Sequence, residues 1–230
     1  MEKSYSIQTF KVGTRTSPLA LRQVDEIIGY LRNLDMEINI EVVGIDTAGD
    51  KDRITPISDI EGTDFFTWEI EKALLNKDID FAVHSAKDIS DTIPGGLYIA
   101  AITQCIDPYD ALVSKNNLLL EELPQGAKIA ASSLRRKTQL KSYRDDFKIV
   151  DIRGDIEERL RKLDKSDLNA IIIAACALKR LSLENIITQH IPFKILKPHP
   201  LQGCLAVETR QDDLGLIKML AKIDTRRAIP

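Results

Sequence analysis

The sequence predicts an α/β fold in which mostly parallel sheets are flanked by helices, and three observations predict it. Strand-like and helix-like segments alternate through most of the chain, the pattern of parallel sheets covered on both faces. The alternation comes as two series, one before and one after Pro94-Gly95-Gly96, and 230 residues suffice for two compact domains. Third, Phe81-Ala82-Val83-His84-Ser85-Ala86-Lys87-Asp88 runs a buried strand straight into polar residues, and the carboxyl ends of strands are where open α/β sheets place their chemistry.

Taken in order, residues 7–13 alternate as a strand. Ser17 is a good N-cap and Pro18 suits the first helical position, so a helix follows, with Leu19, Val24, Ile27, Ile28 and Leu31 as its apolar face. Residues 38–45 read as a strand, 46–62 as a long polar loop, and 65–75 as an amphipathic helix leading into the strand at 79–83. Two short strands, 98–102 and 111–114, flank Asp107-Pro108-Tyr109-Asp110. The second series has strands at 128–131, 148–152 and 170–175, a helix from Leu134 to about Arg144 capped by Ser132-Ser133, and a helix at 155–163. Pro192, Pro198 and Pro200 mark a crossing back, after which 205–208 rejoins the first sheet and 214–223 covers it as a helix.

Composition bounds the function. A hydrophobic content of 43% with 29% charged residues is that of a globular protein, and a net charge of −3 gives no general attraction for nucleic acid or anionic membrane. No nucleic-acid or membrane partner is expected, and no run approaches the roughly 20 apolar residues of a membrane span. The amino terminus lacks a signal-peptide core and the three cysteines, Cys105, Cys176 and Cys204, do not form a disulfide or zinc framework, so a reducing cytoplasm is expected. His84, His190 and His199 lack ligand spacing, so no metal site is expected. His84-Ser85 with Asp88 has the composition of a hydrolase triad, but adjacent strand residues face opposite ways.

Arginine placement is the informative feature. Arg135 and Arg136 fall in the first turn of a predicted helix, where a cation opposes the macrodipole at a cost of about 0.3–1 kcal/mol each. An anion bound at that helix start explains them better than exposed ion pairs do. Arg15 precedes a cap in the same way, and Arg153-Gly154-Asp155 repeats the arrangement. Arg159 and Arg180 are placed to join them, whereas Arg161 and Lys162 face water. Several arginines converging on one acid, Asp88, suggest a ligand with many carboxylates and a cationic centre, with Asp88 serving the positive charge or a proton. Losing Arg135 or Arg136 is expected to weaken carboxylate binding and leave stability unchanged or slightly higher.

Seven blocks carry a resemblance: Thr14 to Leu21, Ala82 to Asp88, Asp107 to Ala111, Ser132-Ser133-Leu134-Arg135-Arg136, Ile152-Arg153-Gly154, Leu178-Lys179-Arg180-Leu181 and Gln202-Gly203. Together they resemble the hydroxymethylbilane synthase, or porphobilinogen deaminase, family in its order and spacing. The resemblance implies two domains like those of periplasmic binding proteins, joined by two crossovers, one of residues 1–103 plus 196–230 and one of 104–195, with the active site between them. It implies head-to-tail condensation of four porphobilinogen molecules, with ammonia released, onto a dipyrromethane primer held through a cysteine thioether. Asp88 would be the catalytic carboxylate, with Lys87 beside it. Arg15, Ser17, Ser85, Lys87, Ser133, Arg135, Arg136, Arg153, Arg159 and Arg180 would hold acetate and propionate groups, and Phe66 would pack near the pyrroles.

Three departures from the family pattern bear on this. The family's primer-bearing cysteine lies in a third, C-terminal domain, absent from a chain that stops at Pro230, so no covalent attachment residue is expected here. The loop before Phe65-Phe66 carries Asp59, Glu61 and Asp64, where the family has glycine and lysine. Cys105 and Ile106 stand in place of an arginine and a glutamate. The leading reading is a tetrapyrrole-synthesis enzyme acting on porphobilinogen as a monomer, with a separate or fused domain as a candidate partner. The alternative is a non-polymerising two-domain binding module for polycarboxylate pyrroles; an ordinary solute-binding protein is disfavoured by the lack of a secretion signal.

Overall fold

The computed structural model describes residues 8–34, 38–52, 54–56, 63–90 and 92–226, so the expectations for Ile7, for most of the acidic loop 59–64 and for the end of the chain at 227–230 lie outside the described residues. The chain divides into two compact units, one of Met1–Ala48, Asp64–Gln104 and Cys204–Pro230, the other of Gly49–Thr63 and Cys105–Gly203. Both contain an α/β sheet in which one strand runs against the other four.

In the first unit the strands are β1 (Gln8–Thr14), β2 (Ile38–Gly44), β3 (Phe81–Ser85), β4 (Leu97–Ile102) and β10 (Leu205–Arg210), ordered β2-β1-β3-β10-β4. β1 pairs in parallel with β2 and β3, and β10 antiparallel with β3 and β4. Side chains alternate across a strand, so β3 faces two cores at once. Phe81 and Val83 pack with Val12, Leu205, Val207 and the Val24, Ile27 and Leu31 face of helix α1 (Pro18–Arg32). Ala82 packs on the other side with Ile70 and Leu74 of helix α3 (Trp68–Leu75). α1 starts as its residues predict, with Ser17 Oγ accepting from Ala20 N at 3.2 Å and Pro18 in its first turn.

Three details differ from the expected elements. The loop after β2 contains a four-residue helix, α2 (Ala48–Lys51). α3 begins at Trp68 because Asp64 O accepts from both Thr67 N and Trp68 N, closing a turn that takes Phe65 and Phe66 out of the helix. The last helix, α7 (Leu214–Leu220), gives way to a 3-10 turn over Ala221–Ile223.

The second unit contains β5 (Asp110–Ser114), β6 (Lys128–Ala130), β7 (Lys148–Val150), β8 (Ala170–Ala174) and β9 (Gln189–Ile191), ordered β7-β6-β8-β5-β9. β6 is parallel to β7 and β8, whereas β5 runs against β8 and β9. Its core gathers Leu112, Ile129, Leu140, Phe147 and Ile172. Helix α4 (Leu134–Tyr143) follows β6, helix α5 (Ile156–Lys165) follows β7, and helix α6 (Ala175–Arg180) leaves β8 directly, an element the alternation of strands and helices does not place. β9 was not anticipated, since three residues show no period.

Candidate active site

In the first unit the carboxyl end of β3 turns at once into a 3-10 helix, Ala86–Asp88. Ala86 N donates to Cys204 O at 3.0 Å, which pins the start of the turn; Lys87 lies half-buried beyond it and Asp88 is exposed. Ser85 Oγ accepts from Gln23 Nε2 at 2.9 Å, so the buried Gln23 of α1 fixes this hydroxyl. Gln23 is not legible as a site residue in the sequence, being a polar residue on an otherwise apolar helix face. Arg15, just past β1, lays its guanidinium 4.5 Å from the centre of the Phe66 ring, and Phe65 meets Phe66 edge-on at 5.9 Å. A cation–π contact fixes the guanidinium against the ring face. Ser17 accepts the α1 cap bond, so its oxygen has a structural duty whatever else it binds.

Beneath this strand end His84 is buried 3.2 Å from Glu208 on β10. Glu71 of α3, also buried, has its carboxyl pushed up from the usual range chiefly by burial, with Glu208 adding to the effect and a hydrogen bond from Thr67 opposing it. His84 is thus a core histidine paired with a carboxylate. Among the described residues no group of three or more His, Cys, Asp and Glu side chains is arranged to hold a metal ion.

In the second unit the helix-start arginines do converge on an acid, and that acid is Asp110. Ser133 caps α4 by accepting from Arg136 N at 3.3 Å, which places Arg135 and Arg136 in its first turn. Arg135 Nη2 donates to Asp110 Oδ2 at 2.8 Å and Nη1 to Lys197 O at 2.6 Å. Arg136 donates to Asp110 Oδ1 through Nε at 3.0 Å and Nη2 at 2.6 Å, and Gln202 Nε2 adds a bond to the same oxygen at 3.1 Å. Burial alone would raise the Asp110 pKa, but Arg136 and then Arg135 outweigh it and hold the carboxyl below the usual carboxylate range. The anion that excuses two cations at a helix start is therefore built into the chain. This corrects the stability expectation: Arg136 is buried against a fully buried carboxylate, and removing it leaves that charge underpaired. The signal was present in the sequence, as an aspartate opening the apolar strand Ala111-Leu112-Val113.

The remaining arginines are tied mostly to backbone. Arg153, buried, donates through Nη2 to Gly49 O at 3.0 Å and to Asp52 O. Arg159 Nε donates to Gly154 O at 2.8 Å and Nη1 to Ser132 Oγ at 3.0 Å, bringing Arg159 to the Arg153-Gly154 junction. Arg180 Nη2 donates to Gly203 O at 2.9 Å, where Gly203 has a φ of +94° and a Cβ would stand 2.0 Å from Ile106 O. Arg161 and Lys162 are exposed, and Lys162 Nζ reaches Arg153 O at 2.7 Å. Two cysteines depart from expectation: Cys105 and Cys204 are disulfide-bonded, whereas Cys176 is buried and is not. Spacing along the chain carried no hint of that bonding.

Comparison with known proteins adds a family. The family described as "Porphobilinogen deaminase, dipyromethane cofactor binding domain" matches residues 10–218. The chain is 42% identical over 218 residues to the porphobilinogen deaminase of Syntrophomonas wolfei, covering 95% of this chain and 71% of that one. It is 43% identical over 223 residues to that of Brevibacillus brevis, covering 96% and 72%. Among solved structures the methionine binding protein MetQ aligns with a TM-score of 0.58 at 16% identity, over 94% of this chain and 89% of that one. A nutrient binding protein from Burkholderia cenocepacia aligns at 0.54 and 18%, over 93% and 90%. At such identities these two likenesses show the fold alone.

Proposed function

Since the chain belongs to the porphobilinogen deaminase family, we propose that it condenses porphobilinogen, four molecules head to tail, into hydroxymethylbilane with loss of ammonia. The observation that carries the reading is the exposed carboxylate of Asp88 on a short turn at the carboxyl end of a buried central strand, beside Lys87. Loss of ammonia from an aminomethylpyrrole leaves a cation conjugated with the ring. A nearby fixed carboxylate favours that charge and accepts pyrrole N–H bonds, and such stabilisation is worth most where water is scarce. Lys87 supplies a donor for the substrate's carboxylates.

The family implies a dipyrromethane cofactor, and the side chains present fit its carboxylates. Arg135, Arg153, Arg159 and Arg180, with Arg15 and the hydroxyls of Ser17, Ser85 and Ser133, would hold acetate and propionate groups, guanidinium forks matching them in geometry. When bound, the cofactor supplies the pyrrole carbon from which the chain grows. The described cysteines do not fit its thioether, because two are disulfide-bonded and the third is buried. No described cysteine of this chain is therefore proposed as the tether. The proposal includes a cytoplasmic, monomeric protein, with a separate or fused domain as the candidate source of a tether.

Incubating the purified protein with porphobilinogen and following linear tetrapyrrole by absorbance tests the reading. Formation of hydroxymethylbilane is expected. Saturable binding of porphobilinogen with no product, even when primer is supplied, would instead select the binding module, which the lack of an accessible described thiol favours.

A further inference from the structure

The partner that Arg135 and Arg136 hold is itself a carboxylate, and its consequence for ligand binding rests on the proposed function, in which the protein binds pyrrole carboxylates. Asp110 has no exposed surface and is kept ionised by the two guanidinium groups, with Gln202 completing its bonding. It stands at the first position of β5, which pairs with β8 on one side and β9 on the other, so the acid cannot swing away. The two arginines are not equivalent. The Arg136 side chain is 6% exposed and gives two donors to Asp110, whereas that of Arg135 is 22% exposed and gives it one. A guanidinium has five N–H donors. Arg135 therefore has donors beyond those bonded to Asp110 and Lys197 O, on a side chain that solvent reaches.

We propose that Asp110 is a positioning residue that acts as an internal competitor for Arg135: it fixes the guanidinium and limits how tightly that guanidinium holds a substrate carboxylate. A ligand carboxylate on Arg135 shares it with a like charge, which weakens the contact. When the ligand leaves, Arg135 falls back on Asp110 rather than standing unpaired, which lowers the barrier to release. A reaction repeated on a lengthening polycarboxylate chain needs such release at each addition, because a contact held too tightly stalls the next.

Asp110→Asn tests this, since it keeps size and one acceptor oxygen and removes the charge. For porphobilinogen, KM and kcat should fall together, each by about tenfold, the effect of one like charge a few ångströms away in partly buried surroundings, and complexes with partly extended chains should accumulate. A merely structural Asp110 would lower kcat with KM unchanged or raised, and that result overturns the proposal. Calorimetry with citrate as a small polycarboxylate probe separates the two readings. If wild type makes no tetrapyrrole yet citrate binds the variant about tenfold more tightly, the enzymatic reading fails and the role of Asp110 stands. If wild type is active and citrate binds the variant no more tightly than wild type, the role fails and the enzymatic reading stands. Should the variant fold poorly, its melting temperature settles the point: citrate should raise it more than it raises that of wild type, an external anion replacing the lost one, and an equal or smaller rise counts against the proposal.

Discussion

At the carboxyl end of β3 the chain leaves Asp88 exposed on a three-residue turn, whereas in the second unit the first turn of α4 buries Arg136 against an equally buried Asp110. Both sheets follow one plan, four strands one way and one against, yet they equip it differently. The group proposed to do chemistry is the exposed one, open to substrate. The guanidinium groups proposed to bind are fixed by counter-charge, backbone carbonyls or an aromatic ring: Arg135 by Asp110, Arg153 by Gly49 and Asp52, Arg180 by Gly203 and Arg15 by Phe66. Reactivity and preorganisation call for opposite surroundings, and Asp88 and the fixed arginines divide them.

The largest effect should come from the exposed side of this contrast. Asp88→Asn removes a charge and almost no packing, so turnover should fall by roughly 10²–10³-fold, the scale of losing one electrostatic stabiliser, with a melting curve matching wild type. Retention of near-normal turnover in a porphobilinogen assay would break the division of labour.

Arg136→Leu should behave in the opposite manner. Breaking a buried ion pair from one side costs about 3–5 kcal/mol, reduced here to the extent that Arg135 and Gln202 still bond Asp110. Urea unfolding should show a loss of about 2 kcal/mol or more, and the Arg136→Leu, Asp110→Asn double variant should recover part of it, because no buried carboxylate remains. Unchanged stability in Arg136→Leu would return the residue to the role of a free ligand-binding cation.

Gly203→Ala sharpens the comparison where backbone holds an arginine. With φ at +94° and Ile106 O 2.0 Å from the new Cβ, the alanine must shift the peptide whose oxygen accepts from Arg180. A stability loss of about 2 kcal/mol is expected from the strain, together with a raised KM for porphobilinogen. A variant as stable as wild type with an unaltered KM would show that this carbonyl does not position Arg180.

Much of this was legible in the sequence, for identifiable reasons. Ser17-Pro18 and Ser133 declared their helix starts because capping chemistry is local, and Phe81 to Asp88 declared its strand and polar turn because a short apolar run ending in polar residues marks a strand buried on both faces. What escaped was non-local. That Asp110 would meet Arg135 and Arg136 depends on β5 lying beyond β8 from β6, a strand order no nearby residue encodes. Gln23 meets Ser85 across 62 residues, and its role shows only once α1 lies over β3. The dipole argument asked for an anion at the start of α4, and Asp110 is one that the chain itself supplies.

The smallest expected effect concerns pH and separates two buried carboxyl groups, Asp110 and Glu71, by sign. Asp110 has its folded pKa depressed below 3.8, so its stabilisation is complete above that value and is lost as pH falls through the folded pKa. Glu71 has its folded pKa raised above 4.5, so its contribution is fully present below 4.5 and is lost as pH rises through the folded pKa. Acid therefore works against the Asp110 cluster while relieving the Glu71 carboxyl, where Glu71 Oε2 is buried without a hydrogen-bond partner among the described residues and Glu208 lies 3.2 Å from His84. Glu71→Gln removes one of the two buried carboxylates that raise each other's cost and supplies N–H donors in place of its charge. At neutral pH it should stabilise the protein by about 1 kcal/mol, the scale of one satisfied buried polar group, and the gain should vanish below the point where Glu71 of the wild type is already protonated. Thermal melts of both proteins across pH 4 to 8 test this: a constant difference between them, or destabilisation at neutral pH, would mean that Glu71 is needed as a carboxylate and that the acid-favoured character assigned to it is wrong.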